Sequence, residues 1–151
     1  MKQQILKAAT MFVGIIALAF ASALAASAQN PRNLVVNIPF EFSVKGATLP
    51  AGEYIVSRTS TVDQMSLTMK RTDGNGNAIV LTKSIQANER QNESKLVFSR
   101  YGEHYFLSQV WTSGDQQGRE LYKTRQEQSL EMELAKTNAK PEMVALLASI
   151  Q

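Results

Sequence analysis

The chain has 151 residues, no cysteine, one histidine and a formal net charge of +3. Without cysteine there is no disulfide, no thiolate nucleophile and no Cys-type metal site, and one histidine cannot make a multi-histidine metal centre. The 16 basic residues face 13 acidic ones and form no basic run, so the chain lacks the charged surface that nucleic-acid binding rests on.

The first 28 residues read as a secretory signal peptide. Lys2 and Lys7 precede a long apolar run, and Ala26-Ser27-Ala28 places small residues where a signal peptidase reads them. Ala26 and Ala28 are the cleavage determinants, with Gln29 as the new N-terminus. The alternative is an uncleaved membrane anchor, because the apolar run is long for a signal. The Ala-rich end and the adjacent Ala-x-Ala favour cleavage. There is no twin arginine, and no cysteine for lipid attachment. The expected location is periplasmic or secreted, with membrane contact only through the signal segment before cleavage. Processing leaves 123 of the 151 residues, enough for one domain with a core and too few for two. Lys2 and Lys7 leave with the signal, which lowers the basic count from 16 to 14 against 13 acids and the net charge to about +1.

Residues 29–32 read as a short leader, and a single β-rich domain is expected over 33–151. "NLVVNIPFEFSVKG" carries Val35, Val36 and Ile38, then alternating Phe40, Phe42 and Val44. Pro39 interrupts, which predicts two short strands or one bent edge strand. In "TLPAGEYIVSR", Pro50-Ala51-Gly52 is a turn before a strand through Tyr54 and Val56. "QMSLTMKR" alternates with a period of two. "TDGNGNA" holds two hairpin dipeptides, and "AIVLTKSI" is the return strand. A polar loop over 86–93 follows. "SKLVFSRY" and "HYFLSQVWT" are then two strands around Tyr101-Gly102-Glu103. Short strands between regular turn signals predict a mainly β fold: a small antiparallel β-barrel or barrel-like sandwich of about eight strands.

The C-terminal third changes character. "ELYKTRQEQSLEMELAKTNA" is rich in helix formers and free of Gly and Pro, which predicts one helix over about 121–138. Tyr122, Gln126, Leu130 and Leu134 form its apolar stripe, and Glu127, Glu131 and Glu133 its solvated side. Asn138-Ala139-Lys140-Pro141 ends it. Periodicity alone leaves residues 142–150 open between a strand and a short buried helix.

Few residues point to chemistry. His104 sits beside Glu103, with Ser99, Ser108 and Ser113 near in sequence. Neighbours on a strand point to opposite faces, so His104 reads as a polar residue opening a strand rather than part of a triad. Tyr105, Phe106 and Trp111 are the candidate ligand-binding residues, as the wall of an apolar barrel cavity; core packing is the competing reading. Strict alternation puts Tyr105, Leu107, Gln109 and Trp111 on one face and Phe106, Ser108 and Val110 on the other. "DGNGN" has one carboxylate, too few for a calcium loop, and its glycines match no phosphate-binding fingerprint. Asn92-Glu93-Ser94 fits a glycosylation acceptor but reads as a polar loop. "GRELYKTR" over 118–125 reads as a solvated strand-to-helix junction, with a contact patch as the alternative.

Three blocks, "NIPFEFSVKGATLPAGEYIV", "LVFSRYGEHYFLSQVW" and "GRELYKTRQE", together resemble a family of small exported proteins of unknown function common in certain Gram-negative soil bacteria. The resemblance spans roughly residues 33–143 and rests on the order of the blocks. The family's Pro-Phe-x-Phe opening, Leu-Pro-Ala-Gly-x-Tyr turn and Arg-Tyr-Gly hairpin fall at 39–42, 49–54 and 100–102. Tyr122 departs from the pattern, which has proline after Arg-Glu-Leu, and this leaves the helix start open. The resemblance implies that the C-terminal stretch returns as a strand. It implies no activity, cofactor or catalytic residue.

The expectation is a non-enzymatic exported binding or interaction module, with a small apolar ligand beside Tyr105, Phe106 and Trp111. The alternative is a structural cell-envelope protein acting by oligomerisation or docking. A small hydrolase using His104 is a third, weaker reading. No cofactor, metal or nucleic-acid partner is expected.

Overall fold

A computed structural model describes residues 32–58 and 65–151. The expected signal segment with Ala26 and Ala28, its expected cleavage point and most of the expected leader lie outside these residues. Alternation drives the first strands. In β1 (Leu34–Ile38), Leu34, Val36 and Ile38 are buried while Asn37 is exposed. Pro39 has no N–H to continue a ladder, and the chain restarts as β2 (Phe42–Val44), as its position in the sequence predicts. Lys45 and Gly46 both take positive φ (52° and 82°), which is the geometry of a tight two-residue turn. It returns the chain as β3 (Ala47–Leu49), a strand the hydrophobic pattern does not announce, because only Leu49 is buried.

The remaining elements are β4 (Gly52–Arg58), β5 (Ser66–Arg71), β6 (Asn77–Gln86), β7 (Ser94–Tyr101), β8 (His104–Trp111), β9 (Gln117–Leu121), helix α1 (Arg125–Ala135) and β10 (Glu142–Ile150). Between β5 and β6, the Asp73-Gly74-Asn75-Gly76 turn is a hairpin. Gly74 and Gly76 have φ of 85° and 119°, and Asp73 Oδ1 accepts the Asn75 N–H at 2.9 Å.

Eight strands pair in the order β8-β7-β10-β1-β4-β5-β6-β9, and β9 pairs back onto β8 through Gln109↔Glu120 and Val110↔Arg119. Every neighbouring pair in this circuit is antiparallel. The result is a closed barrel with one helix in its C-terminal region. Closure removes the exposed edges of an open sheet, and with them a template for aggregation. β10 completes it by pairing with β7 on one side and β1 on the other, so residues 142–150 are a strand.

β2 runs parallel to β8 at Ser43↔Phe106, on the length of β8 that β9 does not reach. This hairpin sends Phe42, Val44 and Leu49 into the core and fills one end of the barrel. Inward side chains from every wall meet there and farther along: Leu34, Val36, Ile38, Tyr54, Val56, Leu67, Met69, Val80, Leu96, Phe98, Leu107, Val110 and Leu121.

The helix differs from its expected form. It starts at Arg125, because Glu120 and Leu121 pair with β6 and belong to β9. Thr124 caps it, its Oγ1 accepting the Glu127 N–H at 3.2 Å. Asn138, at φ 53°, turns the chain out of the helix shortly before Pro141. Tyr122 and Gln126 are exposed, so the expected stripe is not the buried face. That face is Glu127 with half-buried Leu130, Glu131 and Leu134, turned toward β7.

Candidate functional site

Strict alternation fails in β8. Val97 pairs with Gln109 but Phe98 pairs with Leu107, so Ser108 is an extra residue, a β-bulge. The bulge resets parity. Tyr105, Leu107 and Val110 face the barrel interior, and Phe106, Gln109 and Trp111 face outward. The structure therefore separates the three sequence-selected residues: Tyr105 is inside, and Phe106 and Trp111 are on the outer wall. Two aromatic clusters result.

The inner cluster lies at the hairpin end. Phe40 stacks on Tyr105 with centroids 3.9 Å apart, and meets Phe98 edge-on at 5.2 Å. Phe98 meets Phe42 at 5.5 Å, and Phe42 meets Tyr54 at 5.3 Å. Such edge-to-face contacts suit the ring quadrupoles. Tyr54 satisfies its hydroxyl by donating to the Pro50 carbonyl at 2.7 Å, and burial pushes its pKa up. Arg100 closes this rim. Its Nε donates to the Gly102 carbonyl at 2.8 Å, its Nη1 pairs with Glu142 at 3.2 Å, and its guanidinium lies 5.4 Å from the Tyr105 ring.

Val144, Leu146 and Ala148 alternate inward, opposite Phe98, Leu96 and Ser94 of β7, yet each keeps part of its surface accessible. Ala78 and Tyr105 face the core in the same half-buried state. The sequence does not reveal which way this row faces, because the pattern of residues 142–150 does not show which strands flank them.

The outer aromatics, Tyr101, Phe106 and Trp111, are all buried. Trp111 lies flat over Gly118, and its Nε1 donates to Gln109 Oε1 at 2.9 Å. Tyr101 and Phe106 meet edge-on at 5.7 Å on the wall that α1 covers. Beside them is Glu127, only 4% exposed and not on a solvated face as its helical position suggests. Burial above all, reinforced by Glu131 and opposed by Lys123, raises the pKa of its carboxyl. The Tyr101 hydroxyl is buried beside the Glu127 carboxyl. Burial first, then the charges of Glu127 and Glu131, push its pKa up to about 12.

A raised carboxyl pKa means that the folded state holds the Glu127 proton more tightly than the unfolded chain does. Its contribution is fully present below the ordinary glutamate range and is lost as pH rises through the raised value. Glu127→Gln, which keeps the shape without the charge, is expected to be more stable than the parent at pH 7. The gain should vanish as pH falls below the ordinary glutamate range. Thermal melts of both proteins across that window check it; a gain that persists in acid would show that charge burial is not its source.

The other sequence candidates stay apart. His104 is exposed at the start of β8, while the Ser99 hydroxyl is buried on the outer wall against Met143. Ser113 sits at the far end of β8, donating to the Asn92 carbonyl and accepting nothing from His104. Asn92-Glu93-Ser94 leads into β7, with Ser94 Oγ accepting the Ser113 N–H at 2.9 Å. Residues 118–125 run from β9 through its link to the first residue of the helix. Among the described residues no cluster of His, Asp and Glu side chains is arranged to hold a metal ion, and no helix is long and apolar enough to cross a membrane. No family model, curated protein or solved structure matches this chain.

Proposed function

We propose that the mature domain is an exported, non-enzymatic binding module whose barrel holds a small, largely apolar molecule. The observation that carries this reading is the half-buried inward row of Val144, Leu146 and Ala148 inside a closed eight-strand wall. Barrels of this size have interiors that side chains fill or that hold one small ligand. Here the β2–β3 hairpin brings Phe42, Val44 and Leu49 into the core at one end, and the inward apolar side chains of β10 are only half-buried. In this reading Tyr105 lines the ligand space, and Phe106 and Trp111 support the wall from outside.

Native mass spectrometry of protein isolated from the periplasm tests export and binding together. The expected species starts at Gln29 and carries one small molecule per monomer. Titration with Nile red, a neutral apolar dye, is expected to saturate at one site, and Leu146→Trp, which fills the space, should abolish it. A bare monomer that takes no dye would overturn the proposal. A second reading, docking or oligomerisation at the cell envelope, draws on Ile79 and Leu81. They are 57% and 59% exposed on the outer wall of β6. A bare oligomer in the same spectrum would favour it.

A further inference from the structure

At the barrel end away from the β2–β3 hairpin, strand parity turns two arginines inward. Tyr54 and Val56 are the buried inward residues of β4, and the next inward position is Arg58, opposite the buried Leu67. Leu121 is inward on β9, and so therefore is Arg119, opposite Ser84 on one side and Val110 on the other. Arg58 is exposed and Arg119 half-buried. Burial first, and the like charge of Arg58 second, pull the Arg119 pKa below the ordinary arginine value. An arginine side chain is a cation at any physiological pH.

Among the described residues neither arginine stands in an ion pair. The ion pairs among the described residues are Arg71–Asp73, Lys83–Glu120, Arg100–Glu142 and Lys123–Glu131. Two like charges in a mouth with apolar walls cost free energy unless an anion joins them. A guanidinium offers paired N–H donors matched to a carboxylate. The wall leading inward carries Leu67, Val80, Val110 and Leu96, with Thr82 and Ser94 among them, and continues to the half-buried row on β10.

We propose that Arg119 and Arg58 form the head-group site for a single-chain amphiphile with an anionic head, whose tail lies inside the barrel along Leu146 and Ala148. This rests on the barrel-binding reading and specifies its ligand class. The probes are decanoate and its neutral counterpart decanol, each displacing Nile red from the mature protein. Decanoate is expected to bind one-to-one and about tenfold more tightly than decanol, as charge-assisted pairing to arginine implies. Arg58→Gln/Arg119→Gln should erase that preference and leave Nile red and decanol binding unchanged. Its thermal melt should be no lower than the parent's, since it removes like charges. Rising salt should weaken decanoate and spare decanol in the unaltered protein, which tests the charge without any variant. If Nile red and decanol both fail to bind, the barrel reading falls and the head-group site with it. If both bind and decanoate is no tighter, the barrel reading stands and the arginine site is overturned. A decanoate preference that survives in the double variant also overturns it.

Discussion

Phe98→Ala is expected to destabilise the domain by about 3–5 kcal/mol, the usual range for removing a fully buried aromatic ring. Phe98 has 0% exposure and joins the two ends of the inner aromatic cluster, meeting Phe40 on one side and Phe42 on the other. It also stands opposite Val144 and Leu107, so it ties the β2–β3 hairpin to three strands of the wall. The neighbouring backbone is held by ladders on both sides of β7, which limits how far the site can collapse around the missing ring. A domain of this size has about 5–15 kcal/mol in all, and no disulfide restrains the unfolded chain here. Urea unfolding followed by circular dichroism measures the loss as a lower midpoint at an unchanged slope. A loss below about 1 kcal/mol would mean that the hairpin plug repacks freely, contrary to a rigid inner cluster.

Gly118→Ala is expected to cost about 1–3 kcal/mol through overpacking, although alanine is otherwise the better strand residue. A Cβ at this position would lie 2.6–2.7 Å from three atoms of the Trp111 ring. The ring cannot simply swing away, because its Nε1 is bonded to Gln109 and it is 8% exposed against the barrel wall. Displacing it should also move the tryptophan emission toward the red. In a Trp111→Leu background the same substitution should cost much less, since the contact is gone. That shortfall from additivity is the diagnostic result. Full additivity would place the cost in the backbone of β9 and not in the ring.

The strands that pair with their neighbours in sequence were largely legible. Pro39, Asp73-Gly74 and Tyr101-Gly102 act through their own backbone preferences, and short strands with alternating Val, Phe and Met follow from burying one face. A mainly β fold with about eight strands and one helix needs no more than that. The helix start was less legible, because "GREL" is as good a helix beginning as a strand. Pairing of Leu121 with Thr82 and of Glu120 with Gln109 decides it in favour of β9, and the partners are distant in sequence.

Composition and local pattern alone settled that this chain makes short strands and a helix without a cysteine framework. Those properties depend on each residue's own torsions and its near neighbours. Three other things came from long-range pairing: closure of the barrel by β10 and β9, the one-residue bulge at Ser108, and the end of the barrel where Arg58 and Arg119 face each other. The bulge shows the reason most directly. One extra residue in β8 reverses the facing of every side chain beyond it, so Trp111 lies outside where strict alternation places it with Tyr105. Nothing in "YFLSQVW" distinguishes the two registers, because both faces carry apolar groups. The partner strand makes the choice, by burying Leu96 against Val110 and Phe98 against Leu107 at once.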